Sequence, residues 1–201
     1  MRSLLLSLLV VATLPLVTAC GEEAGPAFLF LNYQMECTGC TGVPTRQIDT
    51  LDGVNGNSIS CSVTETSGQY LFNLSFAHPS GDPLDDYAFK IENAVVSVSG
   101  GPASRANIEV TELGNRFEGA ASGSALAPGC ADEPPTACTT PCRLYDISFE
   151  NSANGPAVLG SLECDGLPLA ADRTRTAELH APTDATMPAN FLFENCAGLQ
   201  L

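Results

Sequence analysis

Apolar side chains recur at every second position in one segment after another of this 201-residue chain. The clearest run places Tyr70, Phe72, Leu74 and Phe76 on one side of the backbone. Successive side chains of a β-strand point to opposite faces, so a period of two is typical of a strand that is buried on one face. The chain is therefore predicted to fold as an all-β protein.

The same alternation marks four shorter segments, which contain Ile59, Cys61 and Val63, then Phe89 and Ile91, then Ile108 and Val110, and finally Tyr145, Ile147 and Phe149. Further strands are predicted at 28–35, 94–99, 115–121, 157–164 and 190–195, and a short helix fits between 168 and 181. Residues 28–32 and 191–195 have similar sequences and are expected to form neighbouring strands. About ten short strands separated by frequent turns predict an antiparallel, jelly-roll-like β-sandwich.

Nine cysteines are a second constraint on the fold. One of them, Cys20, belongs to the leader described below, and the other eight are Cys37, Cys40, Cys61, Cys130, Cys138, Cys142, Cys164 and Cys196. An even set in an exported chain predicts a disulfide framework. The spacing of Cys37 and Cys40, or of Cys138 and Cys142, would also suit zinc, but no histidine lies near either pair.

The distribution of these cysteines limits how they can pair. Three lie between 37 and 61, three between 130 and 142, and two near the end of the chain. If all eight are paired, each cluster of three must send at least one bridge outside itself, so at least one bridge is long-range. For the last two cysteines, the apolar runs beside them favour a bond between Cys164 and Cys196.

The first 20 residues contain an export signal. One positive charge at Arg2 precedes a short apolar run, which is too short for a spanning helix, and the run ends in Val-Thr-Ala-Cys at 17–20. This N-terminus resembles that of bacterial lipoproteins. The resemblance covers residues 1–20 and implies cleavage before Cys20, with diacylglycerol and a fatty acyl chain such as palmitate attached to that cysteine. Gly21, where an inner-membrane lipoprotein commonly has Asp, favours the outer membrane.

The predicted organisation has three parts: a cleaved signal peptide at 1–19, a lipidated tether at 20–26, and one β-sandwich domain at 27–201. Within the domain, a loop rich in cysteine and proline is predicted at 126–142. The tether spans about 20 Å when fully extended. The domain is therefore expected to lie close to the membrane that holds the lipid.

The chain is strongly acidic, with a net charge of -15. Cleavage removes Arg2 and no acidic residue, so the mature form carries one more negative charge, and Lys90 is its one lysine. Such a surface disfavours nucleic acid and anionic lipid head groups as partners. The membrane is the expected partner, through the lipid alone, together with an unidentified envelope protein or glycan.

Residues typical of catalysis are sparse. His78 and His180 lie beside prolines in turn-like sequences, and no nucleophile elbow, Walker or zinc-protease motif occurs. A non-enzymatic binding or structural module of the envelope is therefore predicted, without catalytic residues. The alternative is a hydrolase of envelope polymers that uses carboxylates, with Asp85, Asp86 or Glu92 as candidates.

No cofactor is predicted, but two acidic loops leave a calcium-dependent binding module as a further alternative. Their oxygen-bearing side chains are Asp49, Asp52, Asn55 and Asn57 in the first loop, and Asp82, Asp85 and Asp86 in the second. Turn formation also explains both loops. Sugar binding is disfavoured because the chain has no Trp. Tyr70 and Tyr145 are expected in the core, which leaves Tyr33 and Tyr87 for stacking, and these two are expected instead to be ordinary tyrosines at the edge of the core.

Overall fold

The computed structural model describes residues 25–37, 45–123, 140–182 and 190–201. Within these residues there are eleven strands: β1 Phe28–Cys37, β2 Thr45–Leu51, β3 Ser58–Thr66, β4 Gln69–His78, β5 Tyr87–Ser97, β6 Arg105–Glu112, β7 Asn115–Ser122, β8 Cys142–Ser152, β9 Gly155–Pro168, β10 Thr176–His180 and β11 Phe191–Glu194. One turn of 3-10 helix, η1 Val54–Gly56, joins β2 to β3. The all-β prediction is confirmed.

Hydrogen bonds join all eleven strands into one sheet, where two were expected. Strand β2 pairs with β1, and β10 and β11 both lie between β1 and β9. From β9 the order continues through β8, β7, β6, β5 and β4 to β3. Neighbours are antiparallel except for a short parallel contact between β7 and β8. The predicted pairing of the two similar terminal runs is confirmed, because Leu29 lies opposite Phe193.

Side chains from distant strands of this sheet meet in one core. The rings of Tyr33 in β1 and Phe191 in β11 lie 6.3 and 6.5 Å from the ring of Phe89 in β5. Further along, Tyr70 in β4 lies 4.4 Å from Phe149 in β8. The sheet therefore curls so that β1 and β11 face β5 across the core and β4 faces β8, and burial of these aromatic rings contributes to the stability of that shape.

Two disulfide bonds are seen among the described residues. Cys61 in β3 is bonded to Cys196, just after β11, and Cys142 is bonded to Cys164, its directly opposite neighbour on β8 and β9. The expected bond between Cys164 and Cys196 is wrong. The run ending in Cys164 pairs with β8, whereas the chain around Cys196 leaves β11 and joins β3.

The rule derived from cysteine parity agrees with both bonds, since each cluster of three sends one bridge outside itself. The bond between Cys61 and Cys196 joins residues 135 positions apart. Cys37 is also disulfide-bonded. Cys20, Cys40, Cys130 and Cys138, and all of the predicted 126–142 loop except its last three residues, lie outside the described residues.

Two further expectations are wrong. The segment between 168 and 181 forms no helix, because it consists of the end of β9, a turn and the strand β10. Tyr145 is half-buried and lies outside the core, since a β-bulge at Asp146 shifts the alternation between Leu144 and Ile147. Tyr33 is fully buried, which agrees with its interpretation as a core tyrosine and leaves it unavailable for stacking. The confirmed core positions include Tyr70 and the apolar residues of β3, β4 and β6.

Strand β2 was not anticipated, because its sequence is mostly polar. It lies at one edge of the sheet and pairs with β1 alone. Its one buried apolar residue is Ile48, and Asp49 in the same strand is exposed. An edge strand needs little apolar surface, so its alternation is weak in the sequence.

Candidate functional site

A charged cluster lies inside the protein, between β1, β2 and β6. Glu112 is the last residue of β6 and continues the inward alternation of Ile108 and Val110, so its carboxylate enters the core with only 2% of the side chain exposed. Tyr33 of β1 points inward from the opposite side. Arg46 of β2 reaches the same carboxylate from the edge of the sheet.

Both oxygens of Glu112 are occupied by hydrogen bonds. The Nε and Nη2 atoms of Arg46 donate to Oε1 and Oε2 at 2.9 and 2.7 Å, and the Tyr33 hydroxyl donates to Oε1. This bidentate arrangement suits a guanidinium. Burial, with a further contribution from the Glu112 charge, raises the pKa of Tyr33 well above its ordinary value. The hydrogen bond to Glu112 likewise raises the pKa of Arg46.

The cluster continues outward through two rings. The guanidinium carbon of Arg46 lies 4.2 Å from the centre of the Tyr87 ring, and that ring stacks on His78 at 4.7 Å. The Nδ1 atom of His78 lies 2.6 Å from the Asn57 Oδ1 atom, to which it donates a hydrogen bond, and Asn57 in turn donates to Thr50. Polar contacts thus connect β2 to β4, β5 and β6.

This arrangement is suited to holding strands together. A general base needs an oxygen lone pair directed at a substrate, whereas the carboxylate of Glu112 is buried and engaged by three donor groups from Arg46 and Tyr33. A residue that acts as a nucleophile or proton donor would also need access from the surface, and Tyr33 has none. The cluster of Tyr33, Arg46 and Glu112 therefore joins β1, β2 and β6, and we call it the polar lock.

A concave site lies on the outward face of the sheet instead. It has a volume of about 330 Å³ and is lined by Glu92, Asn107, Ile108, Glu109, Glu118, Gly119 and Arg173. The residues come from β5, β6 and β7 and from the turn between β9 and β10, which contributes Arg173. This volume is near the lower limit for pockets that bind small molecules.

Charges at this pocket are partly paired with one another. Glu109 accepts a hydrogen bond from Lys90 at 2.7 Å, and Glu118 accepts one from Arg116 at the same distance. Across the pocket, Glu92 is exposed and belongs to the lining together with Arg173. The pocket therefore offers carboxylates beside a guanidinium, a combination that suits a ligand with both polar donors and acceptors.

The three carboxylates proposed for a hydrolase do not come together. Glu92 lies in the pocket, whereas Asp85 and Asp86 lie in the turn before β5, about 20 Å away along the strand. Asp86 accepts hydrogen bonds from the Ser80 backbone at 2.6 Å and from its hydroxyl, and these bonds lower the pKa of Asp86. A general acid would need a raised pKa.

The residues considered for calcium are used mainly in turns. Asp52 accepts a hydrogen bond from the Ile59 backbone at 2.8 Å, and Asp82 accepts one from the Leu84 backbone at 3.0 Å. Asn57 bonds His78, and Asp49 lies in β2 instead of a loop. In the part of the chain that the structure describes, no group of three or more His, Cys, Asp or Glu side chains could hold a metal ion.

The remaining predicted residues are at separate places. His180 ends β10 opposite Gln34, and the half-buried Tyr145 stacks on Arg143 while donating a hydrogen bond to Glu163 at 2.7 Å. The lock of Tyr33, Arg46 and Glu112 was missed. One sequence signal could have indicated it, because Glu112 occupies the next inward position after Ile108 and Val110.

Comparison with known proteins gives no relative for this chain. No family model matches it, and neither does any curated protein or solved structure. Within the described residues, no helix has the length and apolar character required to cross a bilayer.

Proposed function

We propose that this protein is a lipid-anchored envelope protein that acts as a non-enzymatic binding or structural module. The observation that carries the proposal is the lipobox-like sequence ending in Cys20, followed within a few residues by a disulfide-linked β body that starts at Phe28. Acylation of Cys20 would attach that body to the membrane. Gly21 favours the outer membrane as the final location.

The disulfide bonds support export. Bonds such as those of Cys61 with Cys196 and of Cys142 with Cys164 persist in oxidising compartments and are rare where thiols are kept reduced. The same compartment is the one that an N-terminal export signal implies. Cysteine chemistry and the leader therefore agree on an extracytoplasmic protein.

A binding or structural role fits the polar groups better than catalysis does. The buried carboxylate of Glu112 is engaged by its neighbours, and the carboxylates of Glu109 and Glu118 pair with basic side chains. If the module binds a ligand, the pocket between Glu92 and Arg173 is the place we expect it to do so. The ligand would be a polar molecule or an exposed part of an envelope polymer.

The decisive experiment concerns Cys20. Expression of the full chain and of Cys20→Ala, followed by membrane fractionation and intact-mass measurement, should show the parent acylated and membrane-bound and the variant soluble or unprocessed. Ser7→Ala, in the same leader but outside the lipobox, serves as the matched control and should behave as the parent. A Cys20→Ala protein that has lost its leader and still stays in the membrane fraction would contradict the proposal, and so would a parent protein without added acyl mass.

One observation keeps the hydrolase as a second candidate: Glu92 shares its pocket with Glu109 and Glu118. Two carboxyl groups in one cleft are the minimum for acid-base cleavage of a glycosidic bond. Release of soluble fragments from purified envelope material by the parent protein, lost in Glu92→Gln and kept in Glu65→Gln, would favour the enzyme. No release from any of the three would favour the binding module.

A further inference from the structure

The chain enters the β body at an end where several segments converge. The Ala27 carbonyl accepts a hydrogen bond from the Asp52 backbone at 2.8 Å, and the Pro26 carbonyl accepts one from the Asn195 side chain at 3.0 Å. Phe28 pairs with Leu51 on one side and with Glu194 on the other. This entry end therefore consists of the first residues of β1, the loop from β2 to β3, and the end of β11.

The loop at the entry end is tightly built. Gly53, Asn55 and Gly56 all have positive φ angles, of 79, 54 and 78°, which fold the loop back on itself around Val54. The Gly53 backbone donates to Asn57 at 2.9 Å and the Asn57 backbone donates to Val54 at 3.0 Å. These hydrogen bonds within the loop fix its conformation, and they therefore fix the position of Val54.

Two large apolar side chains at the entry end are exposed to solvent, Leu51 as the last residue of β2 and Val54 in the loop that follows. Leu51 is 39% exposed and Val54 is 43% exposed. A short connecting loop in water normally carries polar residues, and nothing in the loop geometry requires valine between Gly53 and Asn55. The turn itself therefore does not explain why Leu51 and Val54 are exposed to solvent.

The short tether between Cys20 and the β body offers an explanation for the exposure of these two side chains. Cys20 is connected to Pro26 by a chain that spans at most about 20 Å, and Val54 is only two residues beyond Asp52, which is hydrogen-bonded to Ala27. Any bilayer that holds an acyl chain on Cys20 is thus within reach of this loop. Resting on the proposed lipid anchor, we infer that Leu51 and Val54 form a membrane contact that inserts into the interface of the bilayer holding the lipid.

Of the other exposed apolar residues, Leu84 lies in the turn before β5, and Val98 follows the far end of that strand. Ser58, at the start of β3, pairs with Ala77, which pairs with Ala88, so the loop and the start of β5 lie at the same end of those strands. Val98 follows the far end of β5, about 33 Å from Ala88. It is exposed to a similar extent, at 41%, and is therefore a matched control for Val54.

The charge near the loop indicates which interaction drives insertion. Asp49 and Asp52 flank Leu51, and the whole chain is strongly acidic, so repulsion from anionic head groups would oppose the contact. Burial of apolar surface remains as the driving force, as for other interfacial segments. The contact should therefore form on zwitterionic bilayers and persist in high salt.

The absence of Trp from the sequence provides a direct test. Val54→Trp, Leu51→Trp and Val98→Trp each give a single-tryptophan protein, which is prepared as the full lipidated chain and reconstituted in phosphatidylcholine vesicles. Tryptophan at 54 and at 51 should emit at shorter wavelength and be quenched by lipids with a shallow doxyl group. Tryptophan at 98 should be quenched by aqueous iodide instead. Thermal unfolding of each variant verifies the fold.

The outcomes separate this inference from the anchor on which it rests. Flotation of the vesicles first establishes that the parent protein is bound through its lipid. If the protein floats but tryptophan at 54 and at 51 is quenched by iodide as strongly as at 98, the membrane contact is wrong and the anchor stands. If the acylated mass is missing and the protein does not float, both are wrong.

Discussion

Glu112 is the residue whose position most needs explanation, since a carboxylate isolated in a protein core would cost several kcal/mol. Three donor groups from Arg46 and Tyr33 satisfy its oxygens. Arg46 keeps 27% of its side chain exposed, so water still solvates part of the positive charge. The pair is thus stable in place but sensitive to the loss of either partner.

Replacing Glu112 with Gln should destabilise the protein. The glutamine keeps the shape but leaves the Arg46 guanidinium without its counter-charge, and we expect a loss of about 2 kcal/mol, below the value for a fully buried pair because Arg46 is partly solvated. Glu118→Gln breaks an exposed pair with Arg116 and should cost less than about 0.5 kcal/mol. Urea unfolding of both variants measures the difference, and equal losses would contradict the lock.

The raised pKa of Tyr33 predicts a change in stability at alkaline pH. In the unfolded chain this hydroxyl ionises near its ordinary value of about 10, whereas in the folded protein it remains protonated to higher pH. Its contribution is therefore fully present below pH 10 and is lost as the pH rises from there toward the folded pKa. The free energy of unfolding should fall more steeply above pH 10 in the parent than in Tyr33→Phe. Identical slopes in the two proteins would contradict this.

The sequence predicted the ordinary core residues but not the lock. Period-two runs identify positions that face inward, and they did so for Phe72 and Val110 because an apolar residue there has one favourable environment. A tyrosine or a glutamate at an inward position is ambiguous, since its environment depends on a partner from a distant strand. Tyr33 and Glu112 are 79 residues apart, and Arg46 joins them from a strand with almost no apolar pattern.

At the scale of the strands, β-bulges explain where the alternation failed. In β5, Phe89 and Ile91 are buried, and then Ala94 and Val96, because Asn93 with a positive φ of 54° inserts one extra residue. The Asn73 side chain accepts a hydrogen bond from the Asn93 backbone at 2.8 Å. The two strands predicted from the sequence, near 89–91 and at 94–99, therefore belong to one strand with a bulge.

The same device in β8 gives a testable prediction. Asp146 has a positive φ of 51°, in a conformation that glycine adopts freely and β-branched residues avoid. Asp146→Gly should leave stability unchanged or raise it by up to about 0.5 kcal/mol, whereas Asp146→Val should lower it by about 1 to 2 kcal/mol. Glu150→Val, at an exposed position of β8 without positive φ, should change little. Thermal unfolding of the three variants tests the order.

At the scale of the whole molecule, the two observed disulfides restrict very different lengths of chain. Cys142 and Cys164 join two strands that already form a hairpin, 22 residues apart. Cys61 and Cys196 are 135 residues apart and fasten the end of the chain to β3. There the Val63 backbone donates to Ala197 at 2.8 Å, and Ala197 donates to Cys61 at 3.0 Å, so the tail covers part of an edge strand.

Removing the long-range bond should therefore cost more. In the loop-entropy description, closure of the longer loop contributes about 5 kcal/mol and closure of the hairpin about 3 kcal/mol. We expect the Cys61→Ala/Cys196→Ala double variant to lose more stability than Cys142→Ala/Cys164→Ala in urea unfolding, with each pair replaced together so that no free thiol exchanges. Because the long bond also holds the tail on β3, hydrogen exchange should rise at Val63 and Ala197 in the first variant alone. A larger loss from the hairpin bond would mean that its packing between β8 and β9, and not chain entropy, sets its contribution.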